Sequence, residues 1–191
     1  MIYVDGDTMN KDLETICDLI FQMACDVNRT CFYFAAESSI EKIYQQCFAY
    51  ELNKSKLRYH SEVTIEVMYK SFPLKDLRAD FVLHPGGKNK FTKDIIIEVK
   101  HSDQTKGNKD KARLQLFGYL HNAPMHSASM LSGIEYGIVL HWPVADPKAT
   151  WDGASTDGQL QKPTPKPRME LWKTKTKPTD ATKFELLKEW N

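Results

Sequence analysis

Asp80 lies in the run Leu77-Arg-Ala-Asp-Phe-Val-Leu83, and Glu98 and Lys100 lie in Asp94-Ile-Ile-Ile-Glu-Val-Lys100. Each run reads as a buried β-strand carrying charge where apolar residues are expected. A buried carboxylate costs several kcal/mol unless it is paired or metal-bound, so this placement points to chemistry. Strand side chains alternate faces, which puts Glu98 and Lys100 on one side with Val99 between them. Two acids and a lysine on adjacent strands suit divalent-metal cleavage of a phosphodiester. Mg²⁺ takes a few carboxylates, keeps several waters and completes its shell from phosphate; the Val99 carbonyl is a further oxygen donor. The competing reading is a surface salt bridge on an edge strand. Ile95, Ile96, Ile97 and Val99 make both faces apolar and favour a central strand instead.

Three further groups could join this site. Ser38-Ser-Ile-Glu41 is a capping-box pattern, in which Glu41 bonds back to the helix start; the same glutamate would also serve as a third metal ligand. Gln115 and Tyr119 are four residues apart and share a helix face, so Gln115 could bond a water or phosphate, or be a surface detail. From Lys100 to Arg113 there are five Lys/Arg against two Asp, enough for a local basic rim. Lys106, Lys109, Lys111, Arg113 and Tyr119 are the candidates for nucleic-acid contact, against the alternative of a solvated loop. No histidine pair has zinc spacing, and no serine or cysteine has an acyl-transfer context.

The elements that must position these residues follow from periodicity. Leu13, Ile16, Cys17, Ile20, Met23, Ala24 and Val27 predict a helix over 11–27, and Ile40, Ile43, Tyr44, Cys47, Phe48 and Leu52 a second over 39–53. The alternation of Val63, Ile65, Val67 and Tyr69 with Glu62, Thr64 and Glu66 predicts a half-buried strand. Residues 72–76 read as a turn, 78–84 as a strand, 85–89 as a turn and 94–100 as a strand, giving an antiparallel meander. The polar stretch 100–109 reads as a loop and 109–122 as a helix facing the core through Leu114, Phe117 and Leu120. Residues 136–142 form the last strand of this set, parallel to the one before it because a helix intervenes.

This order, α-β-β-β-α-β, with Asp80, Glu98-Val-Lys100 and Gln115-x-x-x-Tyr119, resembles the PD-(D/E)XK nuclease superfamily. Glu41-Lys-Ile-Tyr44, Arg78-Ala-Asp80 and Ile97-Glu-Val-Lys100 are similar to its GxxExxY group, and the Gln-Tyr element looks like that of its RecB-like branch. The resemblance implies a mixed α/β, restriction-endonuclease-like core flanked by helices, with one extra N-terminal helix. It implies that Glu41, Asp80 and Glu98 hold Mg²⁺ or Mn²⁺, that Lys100 is catalytic and that Gln115 supports the site. The expected activity is metal-dependent hydrolysis of DNA, with RNA as the other substrate and a non-cutting nucleic-acid-binding module as the alternative. Endo- or exonucleolytic action and oligomeric state stay open.

Composition sets the surroundings. A net charge of +1 makes any basic surface local rather than global. Cys17, Cys25, Cys31 and Cys47 lack a Cys-x-x-Cys pair and read as reduced core thiols. No signal-like leader or membrane-length apolar run is present, so an intracellular location, cytoplasmic or nuclear, is expected. Residues 1–143 are expected to form the nuclease-like domain and 144–168 a linker. Residues 169–191 read as a basic extension: from Lys162 onward there are eight Lys/Arg against four Asp/Glu. Within it, Met169–Lys173 reads as a late edge strand and 184–190 as a short helix.

Overall fold

A computed structural model describes residues 10–31, 40–69, 72–86, 91–102, 105–123, 131, 133–144, 165–175 and 183–191. The elements are α1 (Lys11–Cys31), α2 (Ile40–Lys54), β1 (Tyr59–Tyr69), β2 (Phe72–Leu83), β3 (Ile95–His101), α3 (Lys106–Asn122), β4 (Tyr136–Trp142), β5 (Arg168–Thr174) and β6 (Phe184–Trp190). The strands form one sheet in chain order, β1 to β6, and every neighbouring pair is antiparallel except β3 with β4. This is the expected mixed α/β fold with β3 central.

Burial on both sheet faces explains the apolar residues Ile95, Ile96, Ile97 and Val99 of β3. One face packs Ile95, Ile97, Val99, Leu140 and Trp142 against the apolar sides of α1 and α2. The other packs Ile96 and Val139 against Ala112, Leu116, Tyr119 and Leu120 of α3. Helix α1 starts where Asn10 Oδ1 accepts the Asp12 N–H (3.0 Å), a side-chain cap of an amide that has no partner inside the helix. At the far end of that helix, Trp142 Nε1 donates to the Ala24 carbonyl (2.9 Å), joining α1 to β4.

Several local expectations are corrected. Residues 72–76, read as a turn, belong to β2, with Phe72 opposite Tyr69 and Asp76 opposite Glu66. Pro73 sits in a stretch of β2 that has β1 on one side only, the edge-like position in which proline occurs within sheets. Helix α3 begins at Lys106, three residues before the expected start, with Gly107 and Asn108 in its first turn. Leu114, expected to face the core, is 69% exposed, and Ala112, Leu116, Tyr119 and Leu120 turn inward instead. Residues 184–190 are a strand, not a helix, because β5 offers them a full ladder of hydrogen-bonding partners. Pairing over distance overrides local preference here. As a result β5 is interior rather than an edge, and the sheet continues past the boundary expected at Pro143. The segments 32–39 and 145–164, with the Ser38 cap and most of the expected linker, lie outside the described residues.

Leu171 of β5 is fully buried in the α1–α2 side of the core, whereas Leu186 of β6 is 38% exposed. Leu171→Ala should therefore lower unfolding stability by about 2–5 kcal/mol, and Leu186→Ala by under about 1 kcal/mol. Urea denaturation of the full chain measures both; equal, small effects would show that 168–191 is an appendage and not part of the core.

Candidate active site

The site forms where two strands part. β2 and β3 share three register pairs, ending with Phe81 opposite Ile97. Beyond that point β2 diverges with β1, and β3 runs on to His101 without a partner on that edge. Alternate N–H groups of a strand point to the same edge, so the amides of Val99 and His101 face the gap. Acidic side chains fill it. Val99 N–H donates to Asp80 Oδ2 (2.7 Å), and His101 N–H donates to Glu41 Oε2 (3.0 Å). Asp80 is thus the first β2 residue beyond the last pair, and its carboxylate replaces the backbone partner that β2 withdraws. Its other oxygen, Oδ1, accepts from Gln45 Nε2 (2.9 Å), one turn along α2 from Glu41.

The ladder on the other side of Asp80 is also distorted. Ser61 pairs with Phe81 and Val63 with Ala79, which leaves Glu62 facing Asp80. Glu62 has a left-handed backbone, φ 56°, unusual for a residue with a side chain. Arg78 Nε meets Glu62 Oε2 at 2.6 Å and balances part of the charge beside Asp80.

Glu98 and Lys100 project from β3 on the α3 side, as the alternation requires. Glu98 is fully buried; its Oε1 meets Lys100 Nζ at 2.6 Å, and its Oε2 is buried without a hydrogen-bond partner. Burial lifts the Glu98 carboxyl from 4.5 to about 7, and repulsion from Asp80 adds to this while Lys100 opposes it. Burial likewise lifts Asp80 from 3.8 to about 6, against the Val99 hydrogen bond and Lys100, with Glu41 and Glu62 pushing it further up. Burial alone would pull Lys100 down, but Glu98, Glu41 and Asp80 outweigh it and hold the ammonium above its ordinary value. Lys100 is therefore a fixed cation in a field of excess negative charge.

Helix α3 braces this arrangement from the far side. Gln115 Nε2 donates to the Tyr119 hydroxyl (2.6 Å), which donates to the Arg78 carbonyl (2.7 Å), two residues before Asp80. Gln115 was expected to bond a water or phosphate; it holds Tyr119. Tyr119, expected at the nucleic-acid surface, is fully buried and is corrected to a positioning residue of the β2 strand. Arg113 is also placed differently. Its Nε and Nη2 grip both oxygens of Glu170 (2.8 and 2.7 Å), and its guanidinium stacks over Trp172, so it joins α3 to β5. Such a bidentate, largely buried pair is not available to a phosphate. Lys106 and Lys111 are exposed and Lys109 half-buried, in the first turns of α3 after the loop that leaves the site. Gln45 was missed in the sequence, although its spacing of four from Glu41 puts the two on one helix face.

Among the described residues no three His, Cys, Asp or Glu side chains converge closely enough to enclose an ion by themselves. The donor set nevertheless fits a hard divalent cation that keeps much of its water. The fit rests on the unpartnered buried Oε2 of Glu98 and on the raised carboxyls of Asp80 and Glu98, both signs of negative charge that the protein leaves uncompensated. The site thus presents a sheet-borne pair of buried carboxylates beside a lysine held in its charged form. A family model described as the PD-(D/E)XK nuclease superfamily matches residues 14–135, which span α1 through α3 and every residue named at the fork. The chain belongs to that superfamily. No curated protein and no solved structure gives a significant match.

A carboxyl whose pKa is raised by folding is stabilising in its protonated state, and that stability is lost as pH climbs through the folded value. For Glu98 the window runs from 4.5 to about 7. In chelator, Glu98→Gln should be more stable than the wild type above pH 8, by about 3 kcal/mol, with the advantage vanishing below pH 4.5. Guanidinium melts across that range check this; a pH-independent difference would mean that Glu98 ionisation carries no folding penalty.

Proposed function

We propose that the chain is a Mg²⁺- or Mn²⁺-dependent nuclease that hydrolyses DNA phosphodiesters. The observation that carries this reading is the buried Glu98 carboxylate, paired to Lys100 through one oxygen and left with the other unpartnered, in the field of Asp80. Asp80 and Glu98 would hold the ion, with Glu41 and the Val99 carbonyl as additional oxygens. A divalent cation there supplies Lewis-acid polarisation of the phosphate and a more acidic water.

The chain's own groups define the rest. Lys100 keeps its proton, so it acts as a hydrogen-bond donor and fixed charge toward the attacked phosphate and not as the base. Asp80 keeps its place because Val99 N–H and Gln45 hold its two oxygens and Tyr119 holds its strand. Lys106, Lys109 and Lys111 give α3 a positive start along which a nucleic-acid backbone can be drawn toward the fork. No described helix is long and apolar enough to cross a membrane.

Single- and double-stranded DNA, and RNA of matched sequence, incubated with Mg²⁺ or Mn²⁺ and with chelator, test the reading. Cleavage of DNA should require the metal and fall by about 10²–10³-fold in Asp80→Ala and in Lys100→Met. Cleavage that survives both substitutions would reject the site, and tight binding of DNA without cleavage would leave a non-cutting module.

A further inference from the structure

A second constellation sits at the opposite end of the β2–β3 pairing from the fork. His84, just after β2, lies between Asp94, just before β3, and His60 of β1. His84 Nδ1 is 2.9 Å from Asp94 Oδ1, and His84 Nε2 is 2.7 Å from His60 Nδ1. The chain Asp94–His84–His60 therefore crosses three strands, and nothing in the nuclease chemistry uses it.

The protonation pattern follows from donors and acceptors. A carboxylate accepts only, so the Asp94 contact places the His84 proton on Nδ1. That leaves Nε2 as a lone pair aimed at His60 Nδ1. An imidazole oriented by a carboxylate on one nitrogen, with the other nitrogen free to ligate, is the arrangement metal-binding histidines adopt. His84 and Asp94 are largely enclosed, at 12% and 16% side-chain exposure, while His60 is exposed. The His84 amide, bonded to the Arg58 carbonyl (2.9 Å), holds its backbone in place. One ligand is thus fixed and the other adjustable.

We infer that His60 Nδ1 and His84 Nε2 form a binding site for a late transition-metal dication of the Zn²⁺ class, with Asp94 orienting His84. Imidazole nitrogens select such ions over Mg²⁺, which takes oxygen. Zn–N bonds of about 2.0–2.1 Å in tetrahedral geometry separate two nitrogens by about 3.3 Å, so the 2.7 Å contact opens by roughly 0.6 Å, within reach of an exposed side chain. The proton that His60 Nδ1 shares with His84 moves to the other nitrogen of His60, and none is lost to solvent on binding. Water completes the coordination, in keeping with the absence of a third converging donor among the described residues. The site would clasp β1, β2 and β3 at the closed end of the short β2–β3 ladder, far along the strands from Asp80. His60 and His84 are separated by 24 residues, which is why no sequence spacing announces the pair.

Isothermal titration of the full chain with Zn²⁺ tests this, with Asp80→Asn included to separate binding at the nuclease site. Asp80→Asn should retain one bound Zn²⁺, the ion of the histidine site, and the wild type the same ion beside any that it takes at the nuclease site. The affinity of the histidine site should fall at least tenfold in His60→Ala and in His84→Ala, and about tenfold in Asp94→Asn. His60 is exposed, so its truncation leaves the core filled; circular dichroism verifies the fold of each variant. Zn²⁺ binding by His60→Ala with wild-type stoichiometry and affinity would overturn the proposal, as would no Zn²⁺ binding by Asp80→Asn.

Discussion

The separation of β2 from β3 after Phe81–Ile97 is the constraint on which the rest depends. It leaves two β3 amides facing a gap, and a buried N–H without a partner costs about 1–3 kcal/mol. Asp80 and Glu41 meet that need from two different elements, so the fold itself fixes their carboxylates at the gap. A charged acceptor forms the stronger kind of hydrogen bond to an amide, which offsets part of the penalty of burying it. The same bonds that finish the sheet edge therefore pre-position acids around Glu98 and Lys100. The geometry of the candidate site and the completion of the sheet edge are one arrangement here.

Concentrating acids in this way works against stability. Asp80 and Glu98 are both pushed up, chiefly by burial and further by the neighbouring acids, and Lys100 relieves this only in part. The compensation comes from apolar burial around the site: Ile95, Ile96, Ile97 and Val99 on β3, Tyr44 and Phe48 on α2, and Leu116 on α3 are all inaccessible to solvent. Tyr44 also packs between His101 and Trp142 with its ring tilted to both, centroids 4.8 and 5.0 Å away, which seats α2 against the end of β3 and sets the reach of Glu41. The strained backbone of Glu62 belongs to the same pattern, since strain of this kind persists where surrounding contacts over-determine it.

What could be read in the amino-acid sequence depended on the range of the forces involved. β3 and β4 were legible because burial on both faces writes a continuous apolar run, and Glu98 and Lys100 stood out as its interruptions. The antiparallel meander and the parallel β3–β4 pair followed from connection length. β6 was not legible, because Phe184–Trp190 becomes a strand through its pairing with β5 and not through its own periodicity. The roles of Tyr119 and Arg113 were misread for a related reason. Their types suit a nucleic-acid surface, but their partners, the Arg78 carbonyl and Glu170, lie 41 and 57 residues away. Gln45 was visible by spacing from Glu41 and simply carried no signal of its own until Asp80 was seen opposite it.

Those two long-range ties give α3 its place in the design. Through Tyr119 it holds the strand of Asp80, and through Arg113 it holds β5 on the other side of the central pair. A helix tied at both flanks resists sliding along the sheet, and its first turns, with Lys106, Lys109 and Lys111, are kept at a fixed height beside the fork. Gly137 shows how closely it is seated, because a Cβ there would come within 2.6 Å of Leu116 Cδ1. Packing this tight transmits position, so the identity of a core residue on β4 bears on where the basic start of α3 meets the acids of β2 and β3.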